Sequence, residues 1–274
     1  ARRAVAEPTR AGQSLPAGRK LYWLACSFVP SALLLAVTNY ITVDVAATPL
    51  LWVVPLGLYL ASFIVAFSAL NRRARGPALV MWVVGSAWLS LNAFAPGAVS
   101  LSGQVAPALL ALLGASLLCH GELSQGRPGD QEPTGYFLIL ALGGVLGGAF
   151  VSLLAPLVFA DVYELEVASV AAFLLLWAPL RRRGVDAFSR PSRLLVYLGW
   201  GLCLPLIGAE AWLRHGSGGA AGKGVERRRS FLGPLRVVDL PQGRVLTHGR
   251  IQHGMQLPGA QRHAATMYFG PGTA

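Results

Sequence analysis

Charge is what this chain has least of. Only 13% of its 274 residues are Asp, Glu, Lys or Arg, about half the share of an ordinary soluble domain, while 54% are hydrophobic. That balance excludes a disordered chain, a solenoid and a water-exposed globule. Cysteine is scarce as well. Cys26, Cys119 and Cys203 are too few and too scattered for a disulfide framework or a zinc site, and they read as buried free thiols. Acids number 12 against 23 basic residues, a net charge of +11. An excess of this sign suits nucleic acid, but the basic residues cluster between apolar runs. That is the pattern of cytoplasmic loops, and no nucleic-acid partner is expected.

What is present is long apolar stretches. A spanning helix needs about 20 such residues to cross about 30 Å of hydrocarbon. Seven stretches come close: Leu21 to Thr42, Pro49 to Leu70, Pro77 to Ala95, Val105 to Cys119, Tyr136 to Ala160, Leu165 to Leu180 and Leu194 to Leu213. The expected fold is therefore an all-α polytopic membrane bundle of about seven transmembrane helices with a short C-terminal β-hairpin region, and its principal partner is the lipid bilayer. The domain reading is a basic N-terminal cytoplasmic segment (1–20), a transmembrane helical domain (21–213), a Gly/Arg-rich linker (214–229) and an incomplete β-region (230–274). The N-terminal segment carries Arg2, Arg3, Arg10, Arg19 and Lys20 and is read as leading into a retained span rather than a signal peptide. The end at Gly270, Pro271 and Gly272 reads as a fragment.

Arg72, Arg73, Arg75, Arg127, Arg181, Arg182 and Arg183 mark one set of loops as cytoplasmic, whereas the alternate loops carry Asp44, Asp161 and Glu164. Bacterial inner membrane is the expected location. The tail from Arg214 onward has nine basic residues against Glu226 and Asp239, and its side is left open because long tails escape the charge rule.

Several groups inside this frame carry chemistry or packing. Gly143, Gly144, Gly147 and Gly148 form two overlapping GxxxG pairs, a helix-packing surface where missing side chains let backbones approach. Pro30 and Pro55 are expected to kink their spans. A candidate polar site is drawn from His120, Glu122, Asn39 and Asp44. At Asn39 and Asp44, with Thr38 and Thr48 nearby, a binding cleft and an interfacial cap are both open readings. Cys119, His120 and Glu122, followed by Asp130 and Glu132, read either as metal-binding or as a polar helix end; nearly consecutive side chains point different ways around a helix, so no metal is assigned. The runs hold no Asp, Lys or Arg near a midplane, and Glu210 lies near an end, which lowers the expectation of ion-coupled transport.

From His215 to Gly224 the glycines at 216, 218, 219, 222 and 224 read as a flexible linker. Ser230 to Leu240 and Arg244 to Gln252, separated by Pro241-Gln242-Gly243, read as two strands of one hairpin that needs a partner for stability. His248 and His253, five apart in an extended segment, are placed on opposite faces of a strand and share no metal.

The runs FVPSALLLAVTNYITVDVAATPLLWVVPLGLYLASFIVAF (Phe28 to Phe67), CHGELSQGRP (Cys119 to Pro128), GGVLGGAFVSLLAPLVF (Gly143 to Phe159), SFLGPLRV (Ser230 to Val237) and LTHGRIQHGMQ (Leu246 to Gln256) resemble bacterial fused major-facilitator/spermidine-synthase membrane proteins. The resemblance implies a polyamine-related transferase whose Rossmann-like C-terminal domain is missing here, and decarboxylated S-adenosylmethionine as co-substrate of the full-length protein. It also implies that Gln252 is the cofactor-contacting residue of a Leu-Asp-Gly-x-x-Gln element; His248 stands where that element has Asp. No catalytic residue is assigned, because the tail offers only Glu226 and Asp239 as carboxylates, and no cofactor is expected in the chain itself. Alternative readings are a small-molecule or polyamine transporter with a regulatory tail, and a non-catalytic membrane scaffold. Oligomeric state is left unassigned.

Overall fold

A computed structural model describes residues 16–45, 50–94, 99–128, 133–183, 190–215, 223–231, 233–248, 251–264 and 266. The N-terminal arginines at 2, 3 and 10, Thr48, Asp130, Glu132, the linker glycines at 216–222, Gly249, Arg250 and the terminal Gly-Pro-Gly lie outside the described residues. The helical part comprises α1 (Ala17–Asn39), α2 (Val53–Ala66), α3 (Asn71–Leu91), α4 (Leu101–Gly126), α5 (Pro133–Ala149), α6 (Ala155–Val158), α7 (Glu164–Arg183) and α8 (Arg190–His215). A π-helical turn, Tyr40–Val45, extends α1, and another, Phe150–Leu154, joins α5 to α6. The sheet contains β1 (Lys223–Ser230), β2 (Gly233–Leu240), β3 (Gly243–His248) and β4 (Ile251–Gln256) in the antiparallel order β1-β2-β3-β4.

This architecture corrects the expected fold on both counts. Three helical stretches among the described residues are long and apolar enough to cross a membrane: Ala17–Thr42, Leu101–Gly126 and Pro133–Val158, each 26 residues. The reasons for the shortfall are physical. Helix α2 has 14 residues, about 21 Å at 1.5 Å per residue, well under the hydrocarbon thickness. Charges assigned to loops lie inside helices instead, Arg72, Arg73 and Arg75 in α3 and Glu164 and Arg181 to Arg183 in α7, and α8 runs from Arg190 to His215 with Arg193, Glu210 and Arg214 in it. The C-terminal region is a four-stranded sheet, not a hairpin. Its first strand takes in Lys223 to Arg229, and the run from Arg244 to Gln252 splits after His248, with Ile251 pairing back onto it. Proline placement differs too. Pro30 lies inside α1, but Pro55 falls in the first turn of α2, where its missing N–H has no helical partner to lose.

Small residues set the helix spacing. A Cβ on Gly143 would come within 2.5 Å of the Leu24 carbonyl of α1, and one on Gly147 within 2.3 Å of the Phe28 carbonyl. Gly144 and Gly148 have more room, with the nearest atoms at 3.8 and 3.7 Å. Two serines of α1 reinforce the contact: Ser27 Oγ donates to the Leu140 carbonyl at 2.6 Å and Ser31 Oγ to the Gly144 carbonyl at 2.8 Å. Helices α3 and α4 approach in the same way, Gly85 against Pro107 and Ala111, Gly114 against Ala78 and Trp82. An aromatic cluster joins α3, α7 and α8, with Trp82 stacked on Phe173 at 4.2 Å and edge-on to Trp200 at 4.5 Å.

In the sheet, Gly243 closes the β2–β3 turn at φ +149° with its Cα against the Gln256 carbonyl, where a Cβ would sit 2.3 Å away. Cross-strand partners Asp239 and Arg244 form an ion pair at 2.8 Å, and the guanidinium holds the Asp239 carboxyl below its usual range.

The crowding at Gly147 makes a sharp comparison. Gly147→Ala is expected to lose about 1–3 kcal/mol through backbone overpacking, whereas Gly148→Ala changes stability by less than about 0.5 kcal/mol. Unfolding midpoints of the two variants in detergent measure the difference, and equal midpoints would remove Gly147 from the packing surface.

Candidate functional site

The expected polar site does not form one group. His120 and Glu122 lie near the C-terminal end of α4, which meets the start of α1: Arg19 donates to the Gly126 carbonyl at 2.8 Å and its guanidinium lies over the Trp23 ring at 5.0 Å. Asn39 ends α1 and Asp44 sits in the π-helical turn that follows. Along α1 that is about 26 Å from Tyr22, the α1 residue that reaches Glu122. The two halves therefore face opposite ends of the helical region.

Around His120 and Glu122 three further helices contribute. The Ser62 hydroxyl of α2 donates to the Tyr59 carbonyl at 2.6 Å and lies 2.8 Å from His120 Nδ1. One hydroxyl has one proton, so the second contact is supplied by Nδ1–H, and Nε2 carries the lone pair. The imidazole stacks on Phe63 at 3.6 Å and meets Tyr59 edge-on at 5.2 Å. It is fully buried, and its Nε2 has no hydrogen-bond partner among the described residues. Glu122, 5% exposed, pairs with Arg75 of α3 at 2.9 Å and accepts from the Tyr22 hydroxyl at 3.3 Å. Asn71 Oδ1 packs over Gly121, where a Cβ would come within 2.8 Å. Tyr136 of α5 donates to the Leu123 carbonyl at 2.8 Å and packs edge-on against Trp23 at 5.0 Å.

Chemically this is a cross-linked helix junction. Each oxygen of Glu122 is engaged, one by a guanidinium and the other by a phenol, so the carboxylate is tied into the junction between α1, α3 and α4. His120 is held on one nitrogen and walled by aromatic rings. Cys119 lies beside Cys26, and all three cysteines are buried and free. No group of three metal-ligating side chains occurs among the described residues.

A second charged cluster was not anticipated from sequence. Arg229 of β1 pairs with Glu164 at the start of α7 and also donates to the Asp161 carbonyl, and Arg236 of β2 pairs with the Asp161 carboxylate. Glu164 is 0% exposed and its arginine 6%. At the same end, Ser90 of α3 donates to Glu210 of α8 at 2.7 Å. The separation of 65 and 75 residues between partners hides these pairs from any local reading; the one signal was a surplus of acids in one set of loops facing a surplus of arginines in the tail.

Within the sheet, Gln252 of β4 is half-buried opposite Thr247, with its amide nitrogen 3.9 Å from the Met255 sulfur. His248 and His253 are neighbours rather than on opposite faces. They occupy paired strands, the register shifts past His253, and the two rings lie 5.8 Å apart.

Comparison with protein-family models, with curated proteins and with solved structures finds no match for this chain.

The His120–Ser62 contact gives a test of its structural role. Ser62→Ala strands a buried Nδ1–H and is expected to cost about 1–3 kcal/mol; replacing both partners, Ser62→Ala with His120→Phe, removes the stranded donor and recovers most of that loss. Detergent unfolding of the single and double variants reads it, and strictly additive losses would contradict the bond.

Proposed function

We propose that this chain is the membrane-embedded portion of a spermidine-synthase-like, polyamine-related protein of a bacterial inner membrane, passing through the bilayer more than once and holding an extramembrane β-module in place without a complete catalytic site of its own. The observation that carries the anchoring role is the double ion pairing of Arg229 and Arg236 with Glu164 and Asp161. A sheet tied to a helix start through buried charges keeps one position and one orientation, which is what a module needs if it is to work at a membrane. Three helices of spanning length and composition support embedding. The resemblance of Ser230 to Val237 and Leu246 to Gln256, now seen as the paired strands β2, β3 and β4, supports the transferase kinship.

The engagement of both carboxylates of the described sheet supports the second half of the reading. Aminopropyl transfer requires a base within hydrogen-bond reach of the attacking amine. In the described sheet Asp239 is held by Arg244 and Glu226 by Arg228, so neither is placed as that base.

Two measurements test the proposal. The protein in membranes should resist alkaline carbonate extraction, and the complete gene product should transfer a labelled aminopropyl group from decarboxylated S-adenosylmethionine to putrescine, while this chain alone transfers none. Release by carbonate would refute the anchor. An inactive gene product whose vesicles accumulate labelled polyamine would favour the transporter.

A further inference from the structure

The two ends of the helical region are chemically unlike, and the contacts say which end the sheet occupies. One end gathers the start of α1, the start of α3, the close of α4 and the start of α5, linked by Arg19 to the Gly126 carbonyl, Arg75 to Glu122, and Tyr136 to the Leu123 carbonyl. That end carries Arg19, Lys20, Arg72, Arg73, Arg75 and Arg127. From there the continuous helix Pro133–Val158 runs 26 residues, about 39 Å at 1.5 Å per residue, more than the thickness of the hydrocarbon core. Asp161 follows three residues later, and β1 lies against α6. The sheet therefore sits across a full membrane thickness from the arginine-rich end.

The short connections at the sheet's end contain no Lys or Arg at all. Residues 40–52 carry only Asp44, residues 92–100 carry no charge, and residues 159–163 carry only Asp161. Orientation is set by Lys and Arg in short loops close to the spans, and acids contribute little to it. By that rule the arginine-rich end is cytoplasmic. The basic residues of the tail do not counter this, since long segments translocate largely regardless of charge. Arg229 and Arg236, moreover, are the two that meet carboxylates at the docking seat.

We infer that the four-stranded sheet is held on the extracytoplasmic face of the membrane, with Asp161 and Glu164 as its docking seat. The inference rests on the embedded reading given under Proposed function, though not on the aminopropyl reaction. It also bears on that reaction: a charged nucleoside co-substrate does not cross a bilayer unaided, so a module on this face draws its ligands from the outer compartment.

The test uses the chain in bacterial membranes and a membrane-impermeant maleimide. All three native cysteines are buried, so the unaltered protein is the blank. Gln242→Cys in the exposed β2–β3 turn, with Ser230→Cys as a second sheet position, reports the sheet; Ala69→Cys, exposed between α2 and α3, reports the arginine-rich end. The expected result is labelling of both sheet cysteines in spheroplasts and of Ala69→Cys only in inverted vesicles. Sheet cysteines labelled only in inverted vesicles, labelled from the same side as Ala69→Cys, or unlabelled from either side would overturn the inference. Carbonate extraction of the same membranes keeps the two claims apart: protein that is released has failed the embedded reading, whereas protein that stays with an inward-facing sheet has failed only this one.

Discussion

Two guanidinium–carboxylate pairs, Arg229 with Glu164 and Arg236 with Asp161, join parts of the chain that have little else in common. On the embedded reading proposed above, lipid solvates the helices and water the sheet, and these polar contacts tie one to the other. Burying both members of such a pair costs desolvation comparable to the attraction gained, and the net contribution to stability is small. The cost of separating them is not small. Removing one partner leaves a carboxylate with 0% exposure, Glu164, without its counter-charge, a loss of about 3–5 kcal/mol in comparable buried pairs. The pairs therefore act chiefly on geometry: misplaced sheets are penalised more than the correct one is rewarded. Arg229 adds a second restraint by also reaching the Asp161 backbone carbonyl.

The same asymmetry explains the junction at the other end. His120, Ser62, Glu122, Arg75 and Tyr22 come from four helices, and among the described residues His120 Nε2 is the buried side-chain atom of this group that lacks a hydrogen-bond partner. In a buried site, a stranded donor or acceptor costs about as much as several good apolar contacts gain. A polar network that is almost fully satisfied restricts which helix neighbours and rotations are allowed. Catalysis asks for the opposite, a lone pair or proton left available toward a substrate. Nε2 of His120, which has no hydrogen-bond partner among the described residues, sits among aromatic rings.

How much of this was readable beforehand depended on the range of each interaction. The glycine spacing of 143, 144, 147 and 148 is local, and a four-residue period marks one helix face whatever lies opposite. What periodicity left undetermined was which pair faces the partner; Gly143 and Gly147 do, because the Leu24 and Phe28 carbonyls of α1 lie over them. Helix ends were misjudged for a related reason. Arginines read as lying outside the spans belong to helices: Arg75 reaches from α3 into the Glu122 carboxylate, and Arg19 of α1 lies over Trp23. Long basic side chains carry their charge away from the helix axis, so an arginine does not mark the point where a helix stops. The sheet failed differently. The β-prone run from Arg244 to Gln252 reads as one strand, but pairing partners decide where a strand ends, and β4 folds back onto β3 from Ile251.

These links form a chain of dependence that begins far from the sheet. On the embedded reading, apolar helices gain nothing by exchanging one hydrocarbon neighbour for another, so α5 has no hydrophobic reason to sit against α1. Close backbone approach at Gly143 and Gly147, together with the Ser27 and Ser31 hydroxyls bonded to α5 carbonyls, supplies the reason and fixes both height and rotation. Because the helix from Pro133 to Val158 is continuous through its π-helical turn, fixing its first half fixes the point where α6 ends, and with it the position of Asp161. Arg236 can then meet that carboxylate only if the sheet stands in one place. A single added methyl group at Gly147 acts on the sheet's seat from about 20 Å along the helix, through rigid connection alone.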